Sequence, residues 1–309
     1  MRLGEPDIPV RLWLYTAISR RIVKPLFRLS DNPIRDAAKL DRLGALVGQY
    51  VPFTCRFDRE IGGRSAQWVA GRGADSSRLI LFFHGGGYFA GSADTHGPMM
   101  ARLAKYAGVP VVIPNYRLST QAPFPAAFDD AIAVWDDLMS RGYDPTQIVI
   151  GGDSAGGGLA LAVLAVLCKR SERPAGVFTM SPWTDLTLSG ASVVQNAALD
   201  AIIPADKMGD AARLYHATTP ADDPRISPLF AKFDAPPPVL FQVGSPEVLA
   251  DDTYRMADVL RAASGEVEVQ TWQAAPHVWH LGEYWVPEAR AALRDIARFV
   301  QTSFDRASR

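Results

Sequence analysis

One pentapeptide constrains this chain more than any other feature. Gly152-Asp153-Ser154-Ala155-Gly156 stands between a short apolar run at 147–150 and a helix-forming stretch at 155–170. A serine on a sharp strand-to-helix turn needs a strained backbone, and flanking glycines remove the Cβ atoms that would strike the neighbouring strand and helix. The hydroxyl is thereby lifted above the carboxyl ends of a sheet. The N–H of Ala155, at the helix start, points into the same space and can hold developing negative charge. A phosphate cradle is the rival reading of such a turn, but no lysine follows at P-loop spacing and G-x-G-x-x-G is not matched around Ser154.

The surrounding pattern agrees with a sheet. From about Gln67 onward, short aliphatic runs at 79–83, 109–114, 147–150, 176–180, 239–243 and 267–272 alternate with helical stretches at 94–107, 126–141, 155–170, 251–263 and 287–304. Runs that are apolar throughout suit strands buried on both faces, and the alternation predicts an α/β fold with a mostly parallel sheet covered by helices. Residues 185–219 break the rhythm: they follow a strand, contain only a helical piece near 205–215, and read as an insertion over the sheet. Prolines 220, 224, 228 and 236–238 then make an extended return to the next strand. No linker separates two cores, so the 309 residues are expected to form one large domain, 51–184 with 220–309, plus an N-terminal helical segment 1–50 and the insertion.

Charge and cysteine content exclude several classes. With 32 basic and 33 acidic side chains there is no surplus to bind a phosphate backbone, so no nucleic-acid partner is expected. Cys55 and Cys168 match no metal or redox spacing, and no His, Cys, Asp and Glu cluster has ligand spacing, so no metal is expected. Near the N-terminus, Trp13, Leu14, Ile18 and Ile22 recur at helical spacing, but Arg11, Arg20, Arg21 and Lys24 interrupt the apolar stretch. That pattern is neither a signal peptide nor a membrane span, which predicts a cytoplasmic location without stable membrane insertion. It reads as an amphipathic helix with a basic outer face, packed on its own domain, with a membrane-surface or lipid-interface role as the alternative.

A second motif, His84-Gly85-Gly86-Gly87, ends the run at 79–83. Consecutive glycines after a strand expose backbone N–H groups, which acyl transfer requires where a carbonyl oxygen becomes an oxyanion. Gly85 and Gly86 are the expected donors with Ala155, while His84 is expected to brace the loop.

Together these residues resemble the hormone-sensitive-lipase-like esterases, bacterial members of the α/β-hydrolase fold. Asn115-Tyr116-Arg117-Leu118 with Pro123-Phe124-Pro125-Ala126-Ala127, Ser181-Pro182-Trp183-Thr184-Asp185 and Asp223-Pro224-Arg225-Ile226-Ser227-Pro228-Leu229 are similar to that family's signatures. The resemblance implies a serine carboxylesterase with a helical cap made from the N-terminal segment and the insertion, and nothing in the sequence requires a cofactor. The chain departs from it at Ser119-Thr120-Gln121, where the family usually carries Ala-Pro-Glu.

The fold supplies a base after its last strand, which selects His277, with His280 as the alternative; His96 and His216 read as surface or cap residues. A carboxylate should follow the run at 239–243, where Glu247 and Asp251 both qualify. Glu247-Val248-Leu249-Ala250-Asp251 aligns with the family's D-P-L-x-D pattern so that Glu247 takes the acid's place, and Asp251 falls in the first turn of the next helix. Asp153 is expected to tune the serine turn and Asp185 to belong to a turn beneath the insertion. Tyr88, Phe89, Trp183, Leu186, Tyr215 and Trp279 are expected to wall a pocket for a small ester, with short acyl chains from acetate to hexanoate favoured. Acyl transfer, lactone opening and a non-catalytic small-molecule receptor are the rival functions; a homodimer is compatible with the sequence.

Overall fold

A computed structural model describes residues 8–28 and 50–308. The expected N-terminal segment 1–50 therefore lies largely outside the described residues. Within it, a continuous helical rod runs from α1 (Val10–Ile18) through a π-helical turn (Ser19–Val23) into α2 (Lys24–Arg28).

Eight strands form one sheet. They are β1 (Thr54–Ile61), β2 (Arg64–Gly71), β3 (Leu79–Phe83), β4 (Val111–Pro114), β5 (Ile148–Asp153), β6 (Gly176–Met180), β7 (Val239–Gly244) and β8 (Val267–Trp272), in the spatial order β1-β2-β4-β3-β5-β6-β7-β8. β1 and β2 pair antiparallel, β2 meets β4 antiparallel, and every later pair is parallel. Side chains of β3, β4, β5, β6 and β7 are buried without interruption, as continuous apolar runs between two helical layers must be. The hairpin β1–β2 lies mostly ahead of the pattern read from the sequence. Strand β1 exposes Cys55 through Glu60 in succession at the sheet edge, so it carries no alternation of apolar and polar residues.

Helices α3 (Ala93–Ala107), α4 (Ala126–Ser140), α5 (Ser154–Lys169), α6 (Ser192–Gln195), α7 (Ala205–His216), α8 (Ala250–Ala262) and α9 (Pro287–Ala307) complete the described fold. One face of the sheet packs with α4, α5 and α8 in a cluster that includes Trp135, Leu159, Leu164, Phe241 and Met256; the other packs with α3 and α9 around Phe82, Met100, Phe178, Ile296 and Phe304. Helix α5 is buried almost all round, from Ser154 to Cys168, because its sequence is apolar or small on every side.

The chain leaves β3 to form β4 on one side, then returns to form β5 on the other. This reversal opens a crevice at the carboxyl ends of β3 and β5, the place where open α/β sheets hold ligands. Phe83 pairs with Gly152 across it, so the two glycine motifs emerge side by side.

Candidate active site

Ser154 is the first residue of α5 and adopts φ of 51°. The left-handed backbone is the strain expected of such a turn. Both glycines of the pentapeptide are there for closeness: a Cβ on Gly156 would lie 2.1 Å from the Phe83 carbonyl oxygen, and one on Gly152 would lie 2.3 Å from the Gly156 carbonyl oxygen.

Ser154, His277 and Glu247 lie in one line. Ser154 Oγ is 2.9 Å from His277 Nε2, and His277 Nδ1 is 2.7 Å from Glu247 Oε2. Glu247 is fully buried, and its other oxygen accepts the Ser181 hydroxyl at 2.8 Å and the Gly244 N–H at 2.5 Å. Three donors on one carboxylate hold it in a single orientation. Burial pushes the His277 pKa down, but the hydrogen bond and charge of Glu247 outweigh it and leave the imidazole more basic than usual.

Asp251 stands elsewhere. Its carboxylate accepts the Ser192 N–H at 2.8 Å and its own N–H donates to the Ser192 hydroxyl at 3.0 Å, fastening α6 to the start of α8. Asn196 of the insertion donates to the Glu247 carbonyl at 2.8 Å, and Asp200 accepts the Val248 N–H at 3.0 Å. The insertion thus packs directly on the loop that carries Glu247. Asp185 receives N–H groups of Thr187 and Ser189 and the Arg255 guanidinium, closing the turn from which the insertion departs.

His280 is engaged away from Ser154. It is fully buried in the turn Trp279–Gly282, bonds Gln242 of β7 at 2.7 Å, and burial lowers its pKa to about 3. His277, and not the alternative His280, is therefore the imidazole at the serine.

The glycine loop departs from expectation by one residue. The Gly85 N–H donates to Asp153 Oδ1 at 2.8 Å, so it is committed and cannot serve an oxyanion. Asp153 is reached in turn by His96 at 3.3 Å. Burial alone would raise the Asp153 pKa, but His96 and the Gly85 N–H outweigh it and hold the carboxyl below its ordinary value. His96, expected at the surface or in the cap, is instead buried behind this loop, while His216 is half-buried at the end of α7 in the insertion. His84 bonds the Gly85 carbonyl at 2.9 Å and stacks on Tyr116, whose hydroxyl donates to the His84 carbonyl at 2.6 Å. Burial brings the His84 pKa to about 4, so the ring is a neutral brace. Past Gly85 the backbone turns with φ of 119° at Gly86 and 61° at Gly87. Among the described residues no acceptor engages the N–H of Gly86 or Gly87. The Ala155 N–H belongs to the first turn of α5, where no intrahelical carbonyl can reach it.

The expected wall residues divide. Tyr88 and Tyr215 stack with centroids 3.6 Å apart and planes 3° from parallel, joining the glycine loop to α7. Trp183 and Leu186 are buried in the same cluster, and Phe89, half-buried, lays its ring against Gly87. Trp279 does not belong with them. It is fully buried among Leu12, Ala275, Val286 and Ala289, where α1 meets α9, and this packing removes it from the wall.

Comparison with known proteins agrees with this architecture. Residues 80–281 match the family model described as the alpha/beta hydrolase fold. An esterase of Acinetobacter venetianus is 36% identical over 281 residues, 90% of each chain. An acetyl-hydrolase of Streptomyces hygroscopicus is 35% identical over 79% of this chain and 81% of its own length. A solved structure described as an esterase from the bacterial hormone-sensitive lipase family superposes with a TM-score of 0.91 at 31% identity, covering 96% of this chain and 99% of that one. The chain belongs to the hormone-sensitive-lipase-like esterases of the α/β-hydrolase fold.

Proposed function

We propose that this carboxylic ester hydrolase works through an acyl-enzyme on Ser154, with His277 as base, Glu247 as the acid that orients it, and Gly86, Gly87 and Ala155 as oxyanion donors. The observation that carries the reading is the unbroken line from Ser154 Oγ through His277 to Glu247, at 2.9 Å and 2.7 Å. Ser154 Oγ attacks the ester carbonyl while His277 Nε2 takes its proton. The carbonyl oxygen becomes an oxyanion at the N–H groups left unengaged around the serine turn. His277 then protonates the departing alcohol, and the carbon–oxygen ester bond breaks to leave acyl-Ser154. Water, deprotonated by the same nitrogen, attacks that acyl group; the carboxylic acid leaves and Ser154 recovers its proton.

Short acyl chains suit the reading. Tyr88 lies with its ring centroid 3.6 Å from that of Tyr215 and 6.4 Å from that of Trp183, and bulky rings set this close favour a small acyl pocket, from acetate to hexanoate. A homodimer and a cytoplasmic location go with this reading, to be checked by light scattering and cell fractionation. The deciding experiment is hydrolysis of p-nitrophenyl esters from acetate to palmitate by wild type and Ser154→Ala. Turnover peaking at short chains and abolished in the variant is expected. A folded Ser154→Ala protein with wild-type turnover refutes the mechanism.

A further inference from the structure

The helical rod of residues 10–28 buries one face and leaves the other apolar and bare. Leu12 and Ser19 are buried, and Tyr15 and Val23 face inward with them. The opposite stripe is Val10, Trp13, Leu14, Ile18, Ile22 and Leu26, with Val10 77%, Trp13 57% and Ile22 55% exposed. These positions recur every three or four residues and, at 1.5 Å per residue, form a ridge about 24 Å long. The insertion touches the rod, the carbonyls of Ala198 and Leu199 accepting Arg20, and it carries two exposed apolar side chains of its own, Val194 and Leu199. An apolar patch of this extent on a water-facing surface marks a docking site.

Charge identifies what it docks on. Residues 8–28 contain Arg11, Arg20, Arg21, Lys24 and Arg28 and no acidic residue. Among the described residues only Arg28 of these is paired with a carboxylate, that of Asp206; Arg11, Arg20 and Lys24 donate to backbone carbonyls. Arg21 is exposed and pairs with nothing among the described residues. A second copy of the same face would set these cations against one another. A sheet of negative charge over hydrocarbon answers both features, and tryptophan with arginine on an apolar helix suits the headgroup zone. No helix among the described residues is long and apolar enough to cross a membrane.

We infer that the Val10–Arg28 helical face, with Val194 and Leu199, docks flat on an anionic lipid surface. Lys24 binds the carbonyls of Ala197 and Asp200, and Asn196 and Asp200 bind the Glu247 loop. The docked face is therefore one layer of insertion away from the buried carboxylate. Docking holds the capped side of the enzyme against the phase in which apolar esters dissolve.

The test is cosedimentation of the full chain with vesicles of phosphatidylglycerol and phosphatidylcholine, beside vesicles of phosphatidylcholine alone. Binding to the anionic vesicles, weakened by added salt, is expected. Arg21→Gln should bind about fivefold more weakly. Trp13→Glu/Ile22→Glu should bind at least about a hundredfold more weakly. Turnover of soluble p-nitrophenyl butyrate by both variants should equal wild type, which shows that they fold and separates this outcome from any failure of the esterase mechanism. Equal binding to both vesicle types, no binding, or a wild-type dimer that the double variant abolishes overturns the proposal.

Discussion

Replacing Glu247 by glutamine tests the acid against its neighbour and follows from hydrogen-bond arithmetic. The carboxylate accepts from His277, Ser181 and Gly244 at 2.7, 2.8 and 2.5 Å. A glutamine side chain has one acceptor oxygen and an NH2 group in the same space. If the oxygen keeps Ser181 and Gly244, the NH2 group faces His277 Nδ1, which must then accept. The ring proton moves to Nε2, the atom that has to take the proton of Ser154. If the amide flips, its NH2 group meets the Gly244 N–H, donor against donor. The corresponding isosteric change in a serine protease triad lowers kcat about 10⁴-fold, or about 5.4 kcal/mol of barrier. We expect a loss of this order in kcat/KM for p-nitrophenyl butyrate. The pH profile supplies a second sign. Catalysis needs neutral His277, so activity rises with pH through its pKa. With Glu247 that pKa is raised; without it, burial pulls the pKa down, and only the weaker influence of Asp200 and Asp153 remains. The acidic limb of Glu247→Gln should therefore shift to lower pH as the plateau falls. Asp251→Asn, which touches only the junction of α6 and α8, should keep kcat/KM near wild type with its limb unmoved. Collapse in Asp251→Asn with retention in Glu247→Gln, or an acidic limb that moves upward, refutes the assignment.

Two further outcomes separate packing from chemistry. Trp279→Ala should cost about 3–5 kcal/mol in denaturant unfolding, because the ring is wholly enclosed, while leaving acyl-chain preference unchanged; altered preference at unchanged stability would return Trp279 to the pocket wall. Asp252 is buried with one oxygen bonded to the N–H groups of Thr184 and Asp185 and the other without a partner, and burial raises its pKa to about 7. The unfolded chain loses this proton at an ordinary carboxyl pKa, so folding becomes less favourable as pH climbs from there to about 7 and is level above it. Asp252→Asn removes that proton linkage and should flatten Tm against pH across this window; an undiminished slope would show that other groups set it.

What the sequence disclosed, and what it hid, divides by range. The buried strands β3 to β7 were legible because two covering layers demand unbroken apolar runs, and that demand is written residue by residue. The serine turn was legible because its glycines answer contacts within a few residues and with the adjacent strand end. Edge strand β1 was not, since solvent on both faces lets Arg56, Asp58, Arg59 and Glu60 follow one another without period. The shift from Gly85 to Gly87 was hidden for another reason. Three consecutive glycines offer equivalent N–H groups until Asp153, 68 residues later, accepts one of them. Its adjacency to Ser154 was the available signal: a carboxylate beside the serine, with β3 and β5 paired, must meet the start of the glycine loop. Trp279 was misplaced because its partner Leu12 comes from the opposite end of the chain. The same rod that supplies Leu12 to that core turns Trp13 outward. A single residue of helical phase thus divides the fold's own packing from the face we assign to lipid, and it corrects the expectation that Trp13, Leu14, Ile18 and Ile22 would pack on the domain beneath a basic outer face: the structure buries Leu12 and Ser19 and leaves that stripe exposed.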